Sequence, residues 1–221
     1  MCVARAVLWD MDGTLVDSEE LHWLSWRDTM ADEGITISRD QFMSSFGQRN
    51  DAIIPSWLGA AATPERIRKI EAAKENRFRR HVRGTGVFPL PGVIEWVNRL
   101  NERAWLQAVA SSAPRANVDA VLEAMGTANS FQAIVSAEDV RHGKPDPEVF
   151  LLAASRLILP PECCIVVEDA AAGLQAARRA GMRSIGVHQG GRHLTADIVV
   201  SALDLLEQDA FEKLLPPEPR A

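Results

Sequence analysis

Two aspartates, Asp10 and Asp12, follow the short apolar run RAVLW at residues 5–9. They are two positions apart, so both side chains can point to one side of an extended chain, and Gly13 permits a turn that brings backbone close to a ligand. Carboxylates this close repel each other, which predicts a cation between them. An Asp-Gly pair also favours a hairpin turn, but a helical pattern follows instead of a second strand. The functional interpretation is therefore preferred.

A second acidic pair, Glu168 and Asp169, follows the apolar run CCIVV at residues 163–167. Acids that end a fully apolar strand need a cation or hydrogen-bond donors beside them. Capping of the helix that follows would satisfy one of the two. Taken alone, this pair leaves both interpretations open.

Two further motifs carry hydroxyls and an amine. Ser111 and Ser112 end an apolar run and precede Pro114 in the first turn of a helix, and such a helix N-terminus suits a phosphate group. In the segment GKPDP, Pro145 stiffens the backbone that presents Lys144. A serine that merely caps a helix and a solvated lysine are the plainer alternatives, and they would be preferred for each motif in isolation.

Apolar runs alternate with helical patterns along most of the chain, and the runs are typical of buried parallel strands. The runs lie at residues 5–9, 105–110, 131–135, 163–167 and 183–187, and the helical patterns at about 91–103, 114–126, 147–156 and 171–180. This alternation predicts an α/β fold with a doubly wound parallel sheet. Each of the four motifs then falls at the carboxyl end of a strand. Together they predict an oxygen site for Mg2+ beside a phosphate cradle.

Residues 17–86 show amphipathic helical patterns and no convincing strand. We therefore expect a helical cap domain at 17–86, inserted into a core domain formed by residues 1–16 and 87–221. An insertion after the first strand would lie over the carboxyl ends of the strands, where open sheets bind their ligands. The insertion is thus a candidate lid.

Composition limits the class of partner. The net charge of -6 and the pI near 5.4 argue against a nucleic acid or an anionic membrane, since both partners require a basic surface. A small molecule fits better, and with the phosphate cradle we expect a small phosphorylated metabolite. No apolar run is long enough to span a bilayer, and no signal-peptide pattern is seen, so we expect a cytoplasmic protein. The oligomeric state is left open.

The four motifs resemble those of the haloacid dehalogenase superfamily, which has a Rossmann-like core. They match in order as DMDGT at 10–14, Ser111, Lys144 and the pair Glu168-Asp169, and the resemblance covers nearly the whole chain. The position of the insertion and the segments VASSAPR, GKPDPEVF and VEDAAAGLQAARRAGM are similar to the β-phosphoglucomutase-like group.

The resemblance implies a role for each motif residue. Asp10 would be the nucleophile that forms an aspartyl-phosphate, and Asp12 the general acid and base, with its backbone carbonyl also on the metal. The metal ligands would be Asp10, Asp12, Glu168 and Asp169, and the phosphoryl oxygens would be held by Ser111 and Lys144. Dehalogenases and phosphonate-cleaving members replace the second aspartate of the first motif. The presence of Asp12 therefore implies a phosphate ester as substrate.

Within the cap, the resemblance implies that His22 and Lys74 lie near the substrate, and that Gly47, Arg49 and Asn50 belong to a specificity loop. Ser112 is expected beside the substrate phosphate. The residues alone allow plainer interpretations. A histidine on a helix that carries tryptophans is often a packing residue, and the alternating charges around Lys74 are typical of a solvated helix face. The substrate-binding arginine of the mutase falls on Asn50, with Arg49 one place away.

Three functions are compatible with these residues. The leading hypothesis is a Mg2+-dependent phosphatase of sugar or polyol phosphates, and the second is a phosphosugar mutase of the β-phosphoglucomutase type. The third is a non-catalytic phospho-switch like a response-regulator receiver. The third is disfavoured because the chain devotes roughly a third of its length to a lid, as expected of an enzyme that selects substrates or excludes water.

Overall fold

The apolar runs form strands in a computed structural model, which describes residues 4–46, 48–188 and 193–215. The strands are β1 (Ala6–Trp9), β2 (Val16–Asp17), β3 (Phe88–Pro89), β4 (Leu106–Ala110), β5 (Ala133–Val135), β6 (Cys164–Glu168), β7 (Arg183–Val187) and β8 (Ile198–Val200). Six of them form one sheet in the order β5-β4-β1-β6-β7-β8, and every neighbouring pair is parallel. The doubly wound α/β prediction is confirmed.

The helices are α1 (Glu19–Asp32), α2 (Arg39–Ser45), α3 (Asn50–Leu58), α4 (Pro64–Thr85), α5 (Val93–Glu102), α6 (Arg115–Met125), α7 (Glu148–Arg156), α8 (Ala171–Arg179) and α9 (Ala210–Leu214). The predicted helices at 91–103, 114–126, 147–156 and 171–180 correspond to α5 to α8. None of the helices in the described part of the chain has the length and apolarity to cross a membrane.

Both faces of the sheet are buried, as the central strand shows. Val7 and Trp9 pack in one apolar cluster with residues of α5 and α6, whereas Ala6 and Leu8 pack in another with residues of α7 and α8. Successive side chains of a strand point to opposite faces, so a strand covered on both sides must be apolar throughout. This explains why the strands are continuous apolar runs.

The insertion after the first strand is helical, as predicted. Its helices α1 to α4 enclose a separate apolar cluster that includes Trp26, Met30, Phe42 and Ile54. Strands β2 and β3 pair antiparallel, so the two chain segments that link the sheet to these helices lie side by side. The sequence analysis did not find this pair. The domain boundaries at 17 and 86 stay a prediction.

Two elements after residue 187 were also missed. Strand β8 adds to the edge of the sheet beside β7, and α9 places Phe211 in the apolar cluster that contains Trp9 and Trp96. Strand β8 has only three residues, and on such a short segment the periodicity that distinguishes a strand from a loop cannot develop.

Candidate active site

Three carboxylates meet where strands β1 and β6 end. Asp10 directly follows β1, Glu168 is the last residue of β6, and Asp169 comes next. The two strands are parallel neighbours with Trp9 opposite Val167, so the register places acids that are far apart in sequence next to each other. One oxygen from each of the three carboxylates lies within 4.8 Å of the others.

This cluster carries more negative charge than its surroundings neutralise. Burial raises the pKa of Asp10 to about 7 and that of Asp169 to about 9, and the charge of Glu168 is the next cause in both cases. A cation among these oxygens would favour the ionised forms again. Carboxylate oxygens are the hard donors that Mg2+ prefers. The residues present therefore fit a magnesium ion.

Lys144 is the cation that the protein itself supplies to this cluster. Its Nζ donates to Asp10 Oδ1 at 2.5 Å and to Glu168 Oε2 at 2.7 Å, and the side chain is buried. Burial alone would lower the pKa of Lys144, but the charges of Asp10 and Glu168 raise it above its ordinary value. Lys144 is thus held charged beside the proposed nucleophile, and the alternative of a solvated lysine is wrong.

Two glycines let the backbone approach these carboxylates. Gly13 has a φ of 84°, and a Cβ added there would lie 2.3 Å from Asp169 Oδ2. Gly173 in α8 faces the other acid of the pair, since an added Cβ would lie 1.9 Å from Glu168 Oε2. Any side chain at either position would displace a carboxylate. The sequence analysis pointed to Gly13 but not to Gly173.

The two serines follow strand β4, which pairs with β1 on the side opposite β6. Ser111 is buried, and its Oγ accepts a hydrogen bond from the backbone N–H of Ala113 at 3.0 Å. Ser112 lines a cavity between the cap and the core. Both serines therefore lie at the carboxyl edge of the sheet, as predicted. Their roles stay a prediction.

Asp12 turns away from the acid cluster toward the cap. Its Oδ1 accepts from Ser18 Oγ at 2.6 Å and lies 3.1 Å from His22 Nε2. Burial would raise the pKa of Asp12, but the charge and hydrogen bond of His22 and the hydrogen bond of Ser18 lower it below its usual value. The side chain is absent from the group of three acids that could hold a metal. A metal contact of Asp12 would thus be made by its backbone carbonyl, as the resemblance implies.

His22 begins a chain of polar contacts that runs through the cap. Its Nδ1 lies 3.0 Å from Lys74 Nζ, and Lys74 donates to Glu75 Oε1 at 2.9 Å. Lys74 is only 2% exposed, so the expectation of a solvated helix face is wrong. The histidine also packs, because its ring stacks on Phe78 with ring centroids 4.1 Å apart. Sequence reasoning missed both Ser18 and Glu75.

Two residues of the predicted specificity loop, Asn50 and Arg49, make different contacts. Asn50 Nδ2 donates to Glu75 Oε1 at 2.7 Å and to Glu71 Oε1 at 3.3 Å, and Asn50 lines the cavity. Arg49 does not line this cavity. It donates instead to the carbonyl of Ala137 in the core at 3.2 Å. Gly47 lies outside the described residues.

The cavity lies between the cap and the end of strand β4. It is lined by Asp12, His22 and Lys74 at one end, by aromatic side chains of the cap, and by residues 112–114 and Asn117 of the core. A pocket of mostly apolar lining with a few placed polar groups is typical of a small-molecule site. The position next to Asp12 makes it the candidate substrate pocket.

Comparison with known proteins agrees with this architecture. The sequence profile of haloacid dehalogenase-like hydrolases matches residues 7–187. The chain is 33% identical to hexitol phosphatase B of Escherichia coli K12 over 215 residues, which cover 90% of this chain and 92% of that protein. It is 38% identical over 189 residues to SUPPRESSOR OF QUENCHING 1, a chloroplastic protein of Arabidopsis thaliana, matching 82% of this chain but 18% of that longer protein. The crystal structure of β-phosphoglucomutase from Clostridium difficile superposes with a TM-score of 0.86 at 25% identity and covers 96% of each chain.

The chain therefore belongs to the haloacid dehalogenase-like hydrolase family. Within that family it is a member of the β-phosphoglucomutase-like group, which includes both phosphatases and mutases among these relatives. The family and the group expected from the motifs are confirmed.

Proposed function

We propose that the chain is a Mg2+-dependent phosphatase that hydrolyses small phosphomonoesters of sugars or polyols through an aspartyl-phosphate on Asp10. The observation that supports the proposal most directly is the cluster of Asp10, Glu168 and Asp169 around the Lys144 ammonium. The cap lies over this cluster, and its His22 contacts Asp12. Phosphoryl transfer requires a nucleophile, positive charge beside it and a group that moves protons. The site contains residues suited to each requirement.

In the first half-reaction an oxygen of Asp10 attacks phosphorus and the bond to the ester oxygen breaks. The leaving oxygen takes a proton from Asp12. Lys144 and Ser111 hold the phosphoryl oxygens in this proposal. Asp10, Glu168, Asp169 and the carbonyl of Asp12 would hold Mg2+, which would supply positive charge beside the transferring group.

In the second half-reaction water attacks phosphorus, Asp12 takes the proton of that water, and the bond from phosphorus to Asp10 breaks. The low pKa of Asp12 favours the ionised form that this step needs. The first step needs the protonated form instead. A phosphate dianion beside Asp12 would raise its pKa again, because like charges disfavour ionisation.

Hydrolysis is favoured over mutase chemistry by the wall of the cavity. A mutase must grip a sugar phosphate while it excludes water, which calls for a positioned cation. Asn50 occupies the place of the binding arginine, and both of its amide hydrogens are engaged by Glu71 and Glu75. A neutral amide cannot form the bidentate, charge-assisted contact of an arginine with phosphate.

A phosphosugar mutase is the second candidate, favoured by the close superposition on β-phosphoglucomutase. An assay with β-glucose 1-phosphate and a trace of glucose 1,6-bisphosphate distinguishes the two candidate functions. Both glucose 6-phosphate and free phosphate are then followed. We expect mainly free phosphate, and efficient formation of glucose 6-phosphate with little free phosphate would reverse the ranking.

The phosphatase itself is tested by a screen of sugar and polyol phosphates for phosphate release. We expect activity with Mg2+ and loss of activity with EDTA. Asp10→Asn should lose on the order of 10^4-fold or more of the activity, because the variant lacks the attacking oxygen. Turnover that persists without any divalent ion, or in Asp10→Asn, would refute the mechanism.

The proposal extends to organisation and location. Residues 17–86 would act as one cap domain over a core of residues 1–16 and 87–221, and their separate apolar cluster supports that division. The proposed substrates are small phosphorylated metabolites and not nucleic acids, and the proposed location is the cytoplasm.

A further inference from the structure

A buried carboxylate that the proposed reaction does not use forms part of the wall of the cavity. Glu75 lies on α4 next to Lys74 and is only 4% exposed. Its Oε1 accepts from Lys74 at 2.9 Å and from Asn50 at 2.7 Å, and its Oε2 accepts from Asn117 of the core. Burial would raise the pKa of Glu75, but the charges of Lys74 and His22 and the bond from Asn50 lower it. The cavity wall therefore contains an ionised carboxylate.

The hydrogen bonds around Glu75 leave acceptor positions open on residues that line the cavity. A carboxylate offers about four acceptor positions, and three are taken, which leaves one on Oε2. Asn50 has committed both amide hydrogens to Glu71 and Glu75, so its carbonyl oxygen is the group that remains. Asn117 Oδ1 accepts from Arg79 at 2.8 Å. Glu75 and Asn50 can thus accept hydrogen bonds from a substrate, but neither has a hydrogen left to donate.

The charges of the cavity lining also favour a neutral hydroxyl group over an anionic group. Among the described residues that line the cavity, Lys74 is the only lysine or arginine, and it is paired with Glu75. A phosphate or carboxylate group at the far end of a substrate would bring acceptors and negative charge to a wall that already has acceptors and offers no unpaired lysine or arginine among the described residues. A hydroxyl group, in contrast, can donate to Glu75 and Asn50. The rest of the lining includes Trp26 and Phe42, which suit the apolar faces of a carbohydrate.

We propose that Glu75 is a specificity-determining residue that selects phosphomonoesters with a neutral, hydroxyl-bearing far end and rejects those with a second phosphate or a carboxylate. This inference rests on the phosphatase reaction proposed above. It narrows the substrates to monophosphates of neutral sugars and polyols. Sugar bisphosphates and phosphorylated hydroxy acids are excluded as good substrates.

Matched substrates test the proposal in the wild-type enzyme. Fructose 1-phosphate is compared with fructose 1,6-bisphosphate, and glycerol 3-phosphate with 3-phosphoglycerate, while p-nitrophenyl phosphate reports on the reaction itself. We expect kcat/KM for each neutral substrate to exceed that of its charged partner about tenfold or more, since buried groups left unpaired penalise the wrong substrate. Equal kcat/KM values within both pairs would overturn the proposal.

Two variants then assign the discrimination to Glu75. Glu75→Gln keeps the shape and removes the charge, and it should reduce the neutral-to-charged ratio about tenfold, mainly through KM of the neutral substrate. Asn50→Arg adds a cation to the same wall and should reduce the ratio by improving the bisphosphate. Thermal unfolding establishes that both variants fold. An unchanged ratio in the folded Glu75→Gln variant would contradict the role of Glu75, whatever the result for Asn50→Arg.

The outcomes separate this inference from the function on which it rests. If the wild-type enzyme with Mg2+ releases no phosphate from p-nitrophenyl phosphate or from any sugar phosphate, the proposed phosphatase is wrong. If it hydrolyses p-nitrophenyl phosphate but does not distinguish neutral from charged substrates, the function stands and the role of Glu75 is wrong.

Discussion

The catalytic edge of the core and the interior of the cap both bury charged side chains, but their charges balance differently. At the core edge, burial and then the charge of Glu168 raise the pKa values of Asp10 and Asp169, and Lys144 does not offset these effects. In the cap, Lys74 lies against Glu75, and the pKa of Glu75 is lowered. The core edge is therefore suited to an added cation, whereas the cap completes its charge pairs within the chain. The comparison indicates which region should depend on metal.

A large effect at the core edge is expected from Gly173→Ala. The new Cβ would lie 1.9 Å from Glu168 Oε2, so the carboxylate that holds Lys144 must move. A misplacement of about 1 Å can cost about 100-fold in rate, and we expect a loss of that size in kcat/KM. Steady-state kinetics at saturating Mg2+ provide the measurement.

Gly84→Ala is the matched control for that variant. Gly84 also lies in a helix, but an added Cβ there meets no atom within 4 Å. We expect full activity and a gain in stability of about 0.5–1 kcal/mol, because glycine is a poor helix residue. Equal activity losses in the two variants would show that the contact with Glu168 is not what matters at position 173.

The link between the two regions is tested by His22→Gln, for which we expect a smaller loss of about tenfold. His22 lowers the pKa of Asp12, so removing it should raise that pKa. Asp12 must be ionised to take a proton from water, so the acid limb of the kcat profile should move to higher pH. The profile is measured with p-nitrophenyl phosphate, whose leaving group needs no proton.

His81→Gln on α4 is the control for the histidine variant and should leave the pH profile in place. If the pH profile of kcat is also unchanged in His22→Gln, the cap does not influence proton transfer by Asp12. His22 would then be a packing residue against Phe78, as its stacked ring permits.

The smallest effect is expected outside both regions, at the end of α7. Ile158 has a φ of 58° and is 90% exposed, a conformation that is unfavourable for a β-branched residue. Ile158→Gly should raise the free energy of unfolding by about 1 kcal/mol without changing activity. Gly126→Ala, at a φ of 69° after α6, should lower it by a similar amount. Denaturant unfolding measures the free energy of unfolding of both variants. A change in kcat in either variant would contradict the expectation that these positions affect stability alone.

The core edge could be predicted from the sequence because parallel strands bring their carboxyl ends together. Asp10 and Glu168 each follow an apolar run, so the prediction that they lie close together required only that the two runs be strands of one parallel sheet. The cap allowed no such argument. The charges around Lys74 are typical of a solvated helix, and the meeting of Glu75 with Asn117 depends on how α4 packs against α6, which no local pattern encodes. Arg49 likewise reaches the core, a contact that depends on the docking of the cap.

The central claim is that Asp10 carries the phosphoryl group, and a trapping experiment tests it most directly. Asp12→Asn should still be phosphorylated by p-nitrophenyl phosphate, which needs no proton at its leaving oxygen, but should not activate water to release the phosphoryl group. After acid quenching, peptide mass spectrometry should find one phosphoryl group on the peptide that contains Asp10. The double variant Asp10→Asn, Asp12→Asn should show none. A phosphoryl group on any other residue, or its persistence in the double variant, would contradict the account.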